Sequence, residues 1–236
     1  MGEKIKEKKE EKNKSKTNSK LIRWIFVVIG ICIIIYLIFI IRNMIILNVL
    51  HNKNIAYNDY DNIYAKIVSE KEDGTVTTAE MFYKDDVEKT IIDIKGNRFI
   101  QIETLTEHKF FAVNQKKAMI SKLDYPAYRI RILDLTGSDY GLIGLVRNSA
   151  INLITSENID GIECYKITGP LENILAVSSI KGYPSVYIEK DTGLPIMYEQ
   201  TLKDGRTIKT TYEYKFNIVT DEDIKEPDMS EYEIEE

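Results

Sequence analysis

The feature that most constrains this chain is a run of eighteen residues, 24–41 (WIFVVIGICIIIYLIFII), without one charged side chain. Drawn as an α-helix it is about 27 Å long, close to the roughly 30 Å hydrocarbon core of a bilayer. It reads as a single transmembrane anchor bounded by Trp24 and Ile41. A short basic tail precedes it, and the chain after it is long enough for one folded domain.

Charge sets the orientation. Residues 1–23 carry nine Lys or Arg and four Glu, a net of +5; the whole chain is −5, so residues 24–236 carry −10. Basic residues beside a span stay on the cytoplasmic side, which places the N-terminus inside and the C-terminal domain in the extracytoplasmic space, at the cell membrane. A cleaved signal peptide is the rival. Its apolar region runs to only about 7–15 residues, however, and no A-x-A type site follows at Ile40-Ile41-Arg42-Asn43. A lipid-modified Cys32 is also disfavoured, because bulky Ile31 precedes it and apolar sequence continues past it. The tail interleaves Glu with its Lys and has no alternating aromatics, so it reads as a disordered, lipid-facing segment. The acidic remainder argues against a nucleic-acid partner.

Residues 42–61 form a juxtamembrane linker or helix. Apolar positions Ile46, Leu47, Leu50, Ile55 and Tyr57 have weak helical spacing, so this stretch either prolongs the anchor or forms the first helix of the domain, packed against the rest of it. Further along, turn dipeptides recur at Asp73-Gly74, Gly96-Asn97, Asp160-Gly161, Thr192-Gly193 and Asp204-Gly205. The β-branched and aromatic runs between them predict antiparallel strands at 63–70, 76–83, 89–95, 98–106, 110–114, 118–122, 151–156, 162–169, 185–189, 195–202 and 207–220. In the last of these, Ile208, Thr210, Tyr212, Tyr214, Phe216 and Ile218 share one face. Residues 138–148 break the rhythm, reading as a helix with an apolar stripe at Leu142, Ile143, Leu145 and Val146, or else as a loop. Gly141 and Gly144 there allow close approach to a sheet.

No catalytic motif stands out: G-x-S-x-G, H-E-x-x-H, a P-loop and paired His spacing are all missing from the sequence. Cys164 is the only cysteine after the apolar run, so no disulfide can form within the domain, and it reads as a small buried residue. Residues 221–236 are acidic without calcium-loop spacing, and read as a solvated C-terminal segment. No cofactor, metal or enzymatic activity is expected.

Residues 162–169 (IECYKITG), 185–198 (SVYIEKDTGLPIMY) with the turn Asp191-Thr192-Gly193-Leu194-Pro195, and 223–228 leading to Tyr232 resemble the LolA-like superfamily. That group includes lipoprotein carriers, LppX-type lipid binders, RseB-type stress sensors and membrane-attached proteins of Gram-positive bacteria. The resemblance covers most of residues 60–233 and is sharpest in the C-terminal third. It implies an α+β fold: a curved antiparallel β-sheet, an unclosed half-barrel, over residues 62–220, with one or two helices on its concave face. It also implies a cavity for an acyl chain, lipid or lipidated protein, for which Phe110, Phe111, Leu142, Ile143, Tyr212, Tyr214 and Phe216 are candidate lining residues. A tethered domain suits a local binding module better than a carrier, and the alternative is an envelope sensor or assembly protein acting through protein contacts.

Overall fold

The computed structural model describes residues 2–58, 61–122, 141–169 and 183–235. Helix α1 (Gly2–Asn58) is continuous. The basic tail, expected to be disordered, is therefore helical from Gly2; Lys and Glu are good helix formers, and extending an existing helix avoids the cost of nucleation. At its other end α1 runs on through residues 42–58, which decides between the two arrangements left open for that stretch. Ile22–Lys53 is long and apolar enough to cross a membrane, with mean hydropathy reaching 3.2 over a stretch of which none is buried.

After α1 the chain forms β1 (Asn62–Lys71), β2 (Val76–Lys84), β3 (Val87–Ile94), β4 (Asn97–Glu103), β5 (Glu107–Ala112), β6 (Lys117–Lys122), α2 (Gly141–Ile151), β7 (Leu153–Ile159), β8 (Ile162–Thr168), β9 (Ser185–Glu189), β10 (Pro195–Thr201), β11 (Thr207–Phe216), α3 (Asp221–Ile224) and β12 (Glu233–Glu235). The twelve described strands join one sheet in the order β12-β6-β5-β4-β3-β2-β1-β11-β10-β9-β8-β7. Two meanders meet where β1 pairs antiparallel with β11, and among the described strands only β12, which runs parallel to β6, departs from the antiparallel rule. The two ends of the sheet do not pair with each other, so this is the unclosed half-barrel expected from the LolA-like resemblance. Tight turns maintain the meander. Lys95-Gly96 and Asp160-Gly161 both have positive φ at their two central positions, the twist that matches flanking strands.

Strand β11 stops four residues earlier than expected. Asn217 turns into the left-handed region (φ 58°), leaving Ile218 half exposed instead of on the inner face. The Asn62 side chain then grips the Val219 backbone through two 2.8 Å hydrogen bonds.

Register sorts the side chains into two faces. Ile63, Ala65 and Ile67 of β1 lie opposite Phe216, Tyr214 and Tyr212 of β11. The same face carries Tyr198 of β10, Val186 and Ile188 of β9, Ile167 of β8 and Ile154 of β7. Ile46, Leu47 and Leu50 of α1 bury themselves in this last group, with Leu145 of α2 alongside. The outer end of the apolar helix is thus part of the domain core.

The opposite face has its own cover. Ile102, Phe111 and Ala118 form a buried cluster under Met229 and Tyr232. The acidic C-terminal segment, expected to be solvated, lies along β2–β6 as a strap. Lys84 pairs with Asp221, Lys109 with Glu226 at 2.6 Å, and Lys116 with Glu231. Lys89 Nζ donates to the Lys225 carbonyl at 2.8 Å. A row of lysines on neighbouring strands supplies the charge that draws the acidic segment down, and Tyr232 supplies the apolar contact.

Candidate functional site: the helix-bearing face of the sheet

The concave face divides into two parts. Over β7–β10 it is filled: the α1 residues Asn43, Ile46, Leu47 and Leu50 recur at the 3–4 residue spacing of one helical stripe, and all are buried. Tyr198 lies in this packed zone with its hydroxyl donating to Gln200 Oε1 at 3.1 Å; burial, then the neighbouring Tyr212, pushes its phenol up to about 12.

The joint between α1 and α2 is polar and fully specific. The C-terminal carbonyls of a helix lack partners within the helix, and here side chains of α1 supply several. Asn43 Nδ2 donates to the Ser149 and Asn152 carbonyls, both at 3.0 Å. The Tyr36 hydroxyl donates to the Ala150 carbonyl at 3.2 Å, and Arg42 Nη1 to that of Ile154 at 3.1 Å. Asn152 closes the joint with its own Nδ2 on the Asn148 carbonyl. Gly169 runs so close that a Cβ there would lie 1.8 Å from Asn152 Oδ1.

On β11 and on β4–β5 the same face keeps partly exposed aromatics, with buried Ile63, Ala65, Met81 and Tyr83 of β1–β2 between them. Phe99 and Phe110 stack with ring centroids 5.7 Å apart, and Tyr212 and Tyr214 stack at 6.3 Å with rings 4° from parallel. Phe99, Phe110, Tyr212, Tyr214 and Phe216 are all partly exposed. Burial holds the Tyr214 phenol far above its ordinary value, with Tyr212 adding to the effect. Towards the β2–β3 turn the aromatics give way to polar groups. Glu88 lies directly across from Glu103, and Glu103 from His108. Gln101 Nε2 donates to Glu103 at 2.9 Å, and Thr90 Oγ1 to Glu88 at 3.3 Å. Burial, and then the Glu103 charge, raise the Glu88 carboxyl above its ordinary value.

The expected lining residues separate into three groups. Tyr212, Tyr214, Phe216 and Phe110 share the concave face. Phe111 does not: neighbours along a strand point to opposite faces, and Phe111 is completely buried under the strap, 5.2 Å edge-on from Tyr232. Ile143 points away from the sheet and is 81% exposed. It fails as a lining residue because the helical period turns Gly144, Leu145, Asn148 and Ser149 inward instead. The Leu142 side chain lies outside the described residues, as do residues 138–140 of the expected helix. Of the expected anchor boundaries, Trp24 and Ile41 are both exposed on α1. The sequence reading missed Phe99, Gln101 and Glu88, whose place on this face emerges only from strand register. It also missed Tyr36 and Asn43, a hydroxyl and an amide in or beside an apolar run.

Cys164 and His108, the pairing with most chemical promise, do not meet. They are eight strands apart in the sheet order and on opposite faces. Burial raises the Cys164 thiol further, which suppresses the thiolate. Among the described residues no group of three or more His, Cys, Asp and Glu could hold a metal ion.

No family model matches the sequence, and no curated protein matches it. Solved structures do share its shape. An uncharacterized conserved protein from Thermus thermophilus superposes with a TM-score of 0.50 at 11% identity, covering 77% of this chain and 93% of its own. That likeness establishes the fold and nothing finer. Weaker matches include LprF from Mycobacterium bovis (TM-score 0.41, 12% identity, 77% and 96% covered) and the MucA/MucB complex of Pseudomonas aeruginosa (0.45, 10%, 80% and 62%).

Proposed function

We propose that this chain is a membrane-tethered, non-catalytic binding module of a bacterial envelope of Gram-positive type. α1 spans the bilayer once, with the basic tail cytoplasmic and the sheet outside, and the ligand is an acyl chain, a lipid or a lipidated protein. The observation carrying the reading is that aromatic side chains at two places on the concave face, Phe99 and Phe110 on β4–β5 and Tyr212, Tyr214 and Phe216 on β11, stay partly exposed while α1 closes the part over β7–β10. Such rings offer a large apolar surface with rigid walls, suited to a flexible hydrocarbon chain. The whole chain in phosphatidylcholine–phosphatidylglycerol vesicles doped with a phospholipid carrying a diazirine on its acyl chain tests this. Photolabel at Phe110 and Tyr214, beyond that on residues 24–41, is the expected result, and label confined to α1 overturns the reading.

A second reading is a sensor or assembly module whose partner is another envelope protein. The closed β7–β10 part supports it, because α1 already takes the space that a buried ligand would need there. Photo-crosslinking from Phe99 in intact cells would then recover one specific protein in place of lipid.

A further inference from the structure

Helix α2 leaves large apolar side chains uncovered while it buries polar ones. Its inward side carries Gly144, Leu145, Asn148 and Ser149, with Asn152 just beyond its end; the three polar residues are buried. Its outward side presents Ile143 (81% exposed), Val146 (40%) and Ile151 (42%), with exposed Arg147 between Ile143 and Ile151, a side chain long enough to carry its charge to the headgroups from an apolar face, and Leu153 (55%) follows at the start of β7. A helix bathed in water turns such large apolar side chains toward the core.

The joint with α1 fixes the depth of this face. Arg42, the first charge after the apolar run, bonds at the level of Ile154; Tyr36, six residues or about 9 Å earlier along the helix, bonds at Ala150. Asn43, just past the run, also bonds at Ser149 and Asn152, so the end of α2 sits at the boundary of the apolar run, between the levels of Tyr36 and Asn43. Its carbonyls also receive donors from Tyr36 and Asn43, as hydrocarbon surroundings require.

We infer that α2 is a second membrane contact: Ile143, Val146, Ile151 and Leu153 lie in the leaflet against which the domain is mounted, and the bilayer is the partner of this face. This rests on the reading of α1 as a membrane span. The apolar surface of α2 continues that of α1, so one lipid layer covers both.

The test uses the whole chain in phosphatidylcholine–phosphatidylglycerol vesicles, with Cys32→Ala and Cys164→Ala and one environment-sensitive fluorophore on a new cysteine. Ile143→Cys reports α2, Ile33→Cys reports the span, and Lys203→Cys, in the exposed β10–β11 turn, reports water. The expected result is a blue-shifted emission at 143 that is lost when lipids carry a quencher high on the acyl chain, a loss at 33 with deeper quenchers, and no loss at 203. If 143 behaves like 203 while 33 is quenched, the inference about α2 fails and the span stands. If 33 is not quenched either, both fail. Far-UV circular dichroism of the cysteine-free parent confirms that the sheet survives the background substitutions.

Discussion

Asn43 shows how much a single side chain can carry. It is completely buried at the boundary of an apolar helix, and its amide satisfies two carbonyls at the end of α2. Asn43→Ala leaves both without donors, at about 1–3 kcal/mol each. The domain's urea midpoint should fall accordingly, with a loss of roughly 2–6 kcal/mol. Glu88 carries a different prediction. Its carboxyl is raised in the folded state by burial and by Glu103, with His108 beyond Glu103 and Thr90 alongside. A carboxyl raised in this way binds its proton more tightly folded than unfolded. Its favourable contribution is complete below the unfolded pKa and is lost as pH rises through the folded value. Glu88→Gln should therefore raise the urea midpoint at pH 7 more than at pH 4, and an equal change at both would refute the assignment.

Among the elements, the outer end of α1 is best compared with its own neighbours. Leu47 is 1% exposed against Ile154, Ile167, Val186 and Ile188, whereas Ile45 on the same turn is 61% exposed. Leu47→Ala should cost about 2–5 kcal/mol, the range for a buried leucine, while Ile45→Ala changes the unfolding midpoint little. Calorimetry on the pair separates packing from mere hydrophobicity. Much at this scale was legible: the eleven expected strands all exist, because β-branched runs between turn dipeptides identify themselves locally. Stripe positions Ile46, Leu47 and Leu50 were also visible. The face that Phe110 or Ile143 presents was not, since it depends on register and on which side of α2 meets the sheet. The strap was misread for a related reason. Its acidic residues look solvated until Lys84, Lys89, Lys109 and Lys116, far away in sequence, are assembled into one row.

For the whole molecule, the long helix and the sheet form one folding unit. A chain lacking residues 2–21 keeps every described core contact and should match the full chain in unfolding midpoint and far-UV spectrum. A chain lacking residues 2–58 exposes Ile154, Ile167, Val186 and Ile188 at once and should aggregate or bind a hydrophobic dye. If that shorter chain were soluble with an unchanged midpoint, the helix would be an accessory and not part of the core. The overall architecture was readable because an all-apolar run and a long β meander are strong signals. That the former inserts into the latter was hidden, since nothing local tells Leu47 which strands it will meet.

The insertion of Asn43 to Leu50 also governs reach. A domain hung from a flexible leash could sweep a hemisphere and capture partners far above its attachment point. This one is keyed to its post like a blade to an axle, so its height is set and its turning is that of the helix itself. On the membrane-tethered reading proposed above, a ligand must come down to the domain, and any torque or tilt applied to the sheet is delivered to the other end of α1.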